Sequence, residues 1–288
     1  MSTATLRKYY ELTKPGIIYG NLIPAVGGFL LASGRYFPFE FFIETMLGLA
    51  FVIGSACVFN NALDRDIDAK MERTAHRALV KGEMAKWSPI IYGTVLEFLG
   101  FFILALFTNG PAVFVAAVGF VVYVIFYSMW FKRHSVWGTV VGSISGATPP
   151  VVGYLAVAGR FDAAALILFL ILVFWQMPHF YAIAIFRLKD YEAAKIPVLP
   201  AKEGLSATKV QMLFYIVAFT AAAAALSSFG YANNVYLVIA LLLGLIWFTA
   251  GIGGFFRTDT IRWAREMFFI SLIVLTALFL TIGIGALA

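Results

Sequence analysis

Charge is what this chain has least of. Asp, Glu, Lys and Arg make up 12% of its 288 residues, about half of the share usual in soluble domains, while 62% of the residues are hydrophobic. That scarcity excludes a water-exposed globular surface. The strict alternation of apolar and polar residues that marks a membrane β-barrel is also missing, so the expected class is all-α, a polytopic membrane helical bundle. A single cysteine, Cys57, excludes a disulfide within the chain and sits in an apolar run, where a small core residue is its expected role. No low-complexity tract or linker divides the chain, so residues 1–288 are expected to form one membrane-embedded domain. No cleavable signal peptide is expected, because Met1 to Pro15 is polar and the apolar run after it lacks an A-x-A site. The net charge of +6 does not point to nucleic acid; in a membrane chain, basic residues mainly report topology.

What is abundant is long apolar segments. Breaks at charges, Gly and Pro leave about nine spans of membrane-crossing length, over 16–34, 39–62, 88–108, 111–131, 136–157, 163–186, 208–228, 234–256 and 266–286. With the N-terminus inside, nineteen of the 21 Lys and Arg fall on the cytoplasmic side, leaving Arg35 and Arg160 outside. That asymmetry predicts a cytoplasmic N-terminus and a C-terminus on the opposite side. Two long loops, 64–87 and 187–207, then face the cytoplasm and carry nearly all the polar chemistry.

The first loop opens on residues 60–77, NNALDRDIDAKMERTAHR. An apolar run from Met46 to Phe59 leads into it, and polarity then flips to Asp64, Asp66, Asp68 and Glu72 against Arg65, Lys70, Arg73 and Arg77. If the helix continues, Asn60, Asp64 and Asp68 share one face over roughly 12 Å of axis. An Asp at the centre of a membrane helix costs about 2.5–3.5 kcal/mol, so these groups belong at the membrane surface or beside a polar cavity. A solvated helix end is one reading. The other is a row of hard oxygen ligands for Mg2+, which bridges carboxylates to phosphates. Arg73 and Arg77 follow at helical spacing, as phosphate-binding guanidinium groups or as topology determinants.

The second loop carries Arg187, Lys189, Asp190, Tyr191, Glu192 and Lys195, with Pro197 and Pro200 expected to stop any helix. Upstream, Pro178 lies inside the sixth span and His179 about two turns deep; an intramembrane His is a functional candidate or a hydrogen-bonded bundle residue. His76 and His134 are assigned to the surface. Between the loops, Lys132 and Arg133 stand at the entrance of a Gly- and Ser-rich fifth span that Pro149 and Pro150 are expected to bend; they suit a phosphate pocket, and topology explains them equally well.

At this point a resemblance adds to the residues. NNALDRDID is similar to the N-x3-D-x3-D motif of the UbiA-type intramembrane prenyltransferases. LTKPGII, DAKMERTAHRALVKG, GSISGATPPVVGY and WQMPHFYAIAIFRLKDYEAAKIPVLP resemble the branch of that family that farnesylates heme. The resemblance covers residues 8 to 265. It implies a helical bundle around a central cavity, with Asn60, Asp64 and Asp68 holding farnesyl diphosphate through Mg2+, helped by Arg73 and Arg77. It implies heme B as the acceptor, attacked at a vinyl group to give heme O, in a bacterial inner membrane. Substrate contacts are expected from Lys132, Arg133, His179, Lys189, Asp190, Tyr191 and Lys195. Many relatives carry a second D-x3-D; here the place reads Asp190-Tyr-Glu-Ala-Ala194 and lacks the second carboxylate, so Lys189, Tyr191 and Lys195 are candidates for neutralising diphosphate instead. Downstream partners, a heme A synthase or terminal oxidase assembly, follow from the same resemblance. Two rivals stay open: prenyl transfer to a quinone precursor or another aromatic, and a membrane heme carrier.

Overall fold

The computed structural model describes residues 3–34 and 36–287, with side chains as far as Gly283. Arg35, one of the two basic residues expected on the outer side, lies outside the described residues. Among the described residues there is no strand, and nine helices are long and apolar enough to cross a membrane. An amphipathic helix α1 (Thr3–Leu12) precedes the spans α2 (Pro15–Ser33) and α3 (Phe39–Leu63). A short turn of helix, α4 (Arg65–Asp68), leads into a run of turns that ends at α5 (Ser88–Phe107).

The fourth span departs from the expected single α-helix. It starts as α6 (Gly110–Val121), winds as a π-helix over Val122–Phe131 and closes with α7 (Lys132–His134). π-Helical turns are rare and gather at functional sites. The fifth span breaks at Ala147 into α8 (Gly138–Gly146) and α9 (Thr148–Ala158), with proline in the first turn of α9, where a missing N–H costs nothing. Pro178, by contrast, sits inside the unbroken α10 (Ala163–Phe186). The second loop is not helix-free: it holds α11 (Leu188–Ala193) and α12 (Leu199–Lys202), and Pro200 opens the latter rather than stopping it. The remaining spans are α13 (Gly204–Ser228), α14 (Asn234–Gly253) and α15 (Thr260–Leu287). The seventh and ninth start earlier than hydropathy suggests: Gly204 to Ala207 add a turn before the seventh span, and Arg262 and Arg265 belong to a helical extension before the apolar stretch of the ninth.

Packing closes these helices into a ring. α2 lies along α9 and α15, α10 along α13, α15 and α8, and α3 along α5 and the π-helix. The α2–α9 seam depends on two glycines: a Cβ on Gly28 would strike the Pro150 carbonyl, and one on Gly153 would strike the Ala25 carbonyl. Small residues let membrane helices approach backbone to backbone. Outward, Phe98, Phe102, Phe214, Leu245 and Phe269 are exposed, the lipid-facing surface such a ring requires.

Candidate active site

The ring encloses a cavity of about 710 Å³, and its charged rim is built from the switch in polarity after α3. The helix ends at Leu63 instead of continuing, with Asp64 at its C-cap. Even so, the Asp64 N–H donates to the Asn60 carbonyl (2.9 Å) and the Asp68 N–H to the Asp64 carbonyl (2.8 Å), so the three residues keep their four-residue line across the break. All three are buried.

Each of the three meets a cation. Lys14 Nζ donates to Asn60 Oδ1 (2.5 Å), while Asn60 Nδ2 donates to Ser128 Oγ (2.9 Å). Lys132 Nζ pairs with Asp64 Oδ2. Arg77 Nη1 donates to Asp68 Oδ2 (2.5 Å) and to Asn61 Oδ1 (2.9 Å). Buried carboxylates need such partners, since an uncompensated buried charge costs several kcal/mol, on the order of 3–5. One acceptor is left over: Asp64 Oδ1 is buried without a hydrogen bond, with Arg133 Nη2 3.9 Å away. A row of hard oxygens, one of them unpartnered, fits Mg2+. Burial lowers the Lys14 ammonium to about 8, and the backbone of Lys14 is left-handed at φ 51°. Lys14 and Asn61 are rim residues that sequence reasoning missed; Lys14 passed for a topology charge, although it stands in the LTKPGII segment.

The cavity itself is lined at this end by Arg73, Lys132, Arg187 and Tyr191, with Tyr123 and Tyr127 beneath them. Asn60, Asp64, Asp68 and Arg77 stand behind that lining, and Lys132 lies between Asp64 and the open space. The π-helix stacks Tyr123 on Tyr127, 5.5 Å apart at 29°; neither ring nor the π-helix is visible in spacing. Arg133 turns away from the cavity and braces Asp66 with two bonds of 2.9 and 2.8 Å. That guanidinium holds the Asp66 carboxyl down at about 2, so the brace persists above that pH and fails as pH falls through it.

The second loop supplies less to the cavity than its charges suggest. Tyr191 lines it, with its hydroxyl pushed up by burial. Asp190 accepts from the Glu72 N–H (3.1 Å) and so ties the two loops together. Ile67 and Met71 of one loop and Ala194, Ile196 and Val198 of the other share a small apolar core behind that tie. Lys189 and Lys195 are exposed and outside the lining. Arg187, one residue beyond the sixth span, is the cavity cation of this loop.

Deeper, the lining turns aromatic around His179. Trp175 stacks on its ring (4.7 Å, 22°) and Phe268 lies at 4.8 Å. His179 Nδ1 is 2.7 Å from Ser271 Oγ. Trp175 opens the WQMPHF segment but carries no assigned role there, and Phe268 and Ser271 have no motif that would single them out in an apolar chain.

A membrane ring with cations and carboxylates at one end of an apolar cavity defines a class: a protein that holds an amphipathic molecule, anionic head at the rim and apolar body within. The UbiA prenyltransferase family matches residues 21–273, and the chain belongs to that family. It is 50% identical over 272 residues to the protoheme IX farnesyltransferase of Klebsiella pneumoniae, covering 94% of this chain and 92% of that one. It is 48% identical over 284 residues to the protoheme IX farnesyltransferase of Pectobacterium carotovorum, covering 98% and 96%. Among solved structures, a digeranylgeranylglyceryl phosphate synthase shares the fold at TM-score 0.81 and 18% identity over 99% of each chain. A UbiA homologue from Archaeoglobus fulgidus bound to GPP and Mg2+ shares it at TM-score 0.76 and 17% identity, over 97% and 99%.

Proposed function

We propose that this protein transfers the farnesyl group of farnesyl diphosphate to a vinyl group of heme B, giving heme O and diphosphate. The observation that carries this reading is the two-ended cavity, cationic at the rim and aromatic below; the relatives that are protoheme IX farnesyltransferases, about half identical along nearly the whole chain, support heme as the acceptor.

Arg73, Lys132 and Arg187 meet the diphosphate oxygens. Their charge offsets the negative charge that grows on the leaving group as the allylic C–O bond breaks and its electron pair departs with diphosphate. Mg2+, held by Asn60, Asp64 and Asp68, supplies further Lewis-acid neutralisation of that charge when bound. Tyr123 and Tyr127 offer π-electron density beside the allylic carbon. The vinyl π electrons of heme form the new C–C bond, and the cation left next to the porphyrin takes water and loses a proton. Apolar walls keep other water from the farnesyl cation. Residues 1–288 act as one domain in the bacterial inner membrane, with the N-terminus cytoplasmic; the basic residues clustered on the face of the two loops support that orientation.

Mass spectrometry of heme extracted after purified protein is incubated with farnesyl diphosphate, heme B and Mg2+ tests the reading. The expected product is heme O, with diphosphate released in step. Heme passed to acceptor vesicles with no diphosphate release, or a prenylated 4-hydroxybenzoate in place of heme O, would sink it.

A further inference from the structure

His179 is a buried ionisable group that the rim network leaves unused, and its neighbours determine which nitrogen carries its proton. Ser271 Oγ lies 2.6 Å from the Phe268 carbonyl and 2.7 Å from His179 Nδ1. A hydroxyl has one proton and a carbonyl can only accept. Ser271 therefore donates to Phe268, and its oxygen accepts from an N–H at Nδ1. The reverse assignment would press two bare oxygens together at 2.6 Å. With the proton on Nδ1, the lone pair of the neutral imidazole is on Nε2. Among the described residues Nε2 has no hydrogen-bond partner and is not sealed off, and His179 lines the cavity. The positioning is firm, because the Trp175 indole N–H donates to the Ser271 carbonyl (2.8 Å) and its ring stacks on the imidazole.

An unpaired imidazole lone pair in an apolar aromatic chamber is a metal ligand in waiting and a poor partner for a carboxylate, which needs a donor. The basic side chains that line the cavity, Arg73, Lys132 and Arg187, stand at the rim. Resting on the heme reading above, we propose that His179 Nε2 binds the iron of the heme substrate axially, and that Ser271 is the positioning residue that fixes the required tautomer. The bond forms by donation of the Nε2 lone pair to iron, with no proton moved. One axial bond leaves the macrocycle free only to turn about it, which confines the vinyl group to an arc and raises its effective concentration at the farnesyl carbon.

The test is heme titration of the full-length protein in detergent, followed by optical and resonance Raman spectra. Wild type is expected to give a histidine-ligated spectrum. His179→Gly is expected to lose it and to regain it with free imidazole, which also reports an intact chamber. Ser271→Ala should weaken heme binding by about 10-fold or more, the usual size for a partner that orients a ligand, and shift the iron–histidine stretching band. Ser271→Thr, which keeps the hydroxyl, should restore both. A wild-type spectrum in His179→Gly without imidazole overturns the ligand assignment while heme remains the substrate. Unchanged affinity and band in Ser271→Ala overturn the positioning role. Wild type that binds no heme overturns the functional reading along with the proposal.

Discussion

The two ends of the cavity are built on different principles. The rim is a lattice of opposite charges, in which Asn60, Asp64 and Asp68 are each matched to a basic side chain drawn from elsewhere in the chain: Lys14, Lys132 and Arg77. The floor has no formal charge; Trp175, Phe268 and Ser271 hold His179 by stacking and hydrogen bonding. On the function proposed above, the difference teaches that the two substrates are recognised by different physics: charge selects a diphosphate head of any chain length, whereas shape and one ring nitrogen select the acceptor. Rim substitutions should therefore act on diphosphate and metal, and floor substitutions on heme.

The largest effect is expected from Asp64→Asn. It should cut heme O formation by about 10²–10³-fold, the usual loss when preorganised charge stabilisation is removed. It should also abolish the Mg2+-dependent rise in melting temperature while heme affinity is unchanged; a matching loss of heme binding would break the division between the ends. Lys132→Ala should come next, raising the KM for farnesyl diphosphate by about 10- to 100-fold, as loss of a hydrogen bond to a charged group would. Removing Mg2+ with a chelator should lower diphosphate affinity and leave the heme spectrum as it was. Trp175→Ala should weaken heme binding about 2- to 10-fold, the worth of one aromatic contact, at constant KM for farnesyl diphosphate. The smallest effect is expected from Asp190→Ala: loss of its bond to the Glu72 N–H is worth about 1 kcal/mol, seen as faster amide exchange in loop 64–87 with only a modest change in rate.

The same contrast explains what could be read before the structure. The spans, the all-helical class and the Asn60–Asp64–Asp68 line were legible because hydropathy and four-residue spacing are local properties of the chain. Of the cations that complete the line, Arg77 and Lys132 stood out as phosphate-binding candidates, but Lys14 did not, and no spacing could pair Lys14 and Lys132 with partners 46 and 68 residues away. Charge also misled: Lys189 and Lys195 were expected to neutralise diphosphate where the second carboxylate of the motif is missing, yet they are exposed and outside the cavity lining. At the floor, His179 stood out as a polar residue in an apolar span, but Ser271 looks like any small helix residue. Only its position opposite His179 gives it meaning.

The π-helix at Val122–Phe131 has a consequence for how this function is encoded. An α-helix advances about 100° per residue, and the wider π turn falls behind that rotation with every step. Its ten residues therefore set the angular phase at which Lys132 emerges towards Asp64 and Tyr127 towards the cavity. Deleting one residue from this stretch would leave composition and hydropathy almost untouched, and the span would still cross the membrane. It would turn everything beyond the deletion by about a quarter of a revolution and carry Lys132 away from its carboxylate. Part of the chemistry of this membrane protein is thus written in rotation, where a hydropathy profile has no axis to record it.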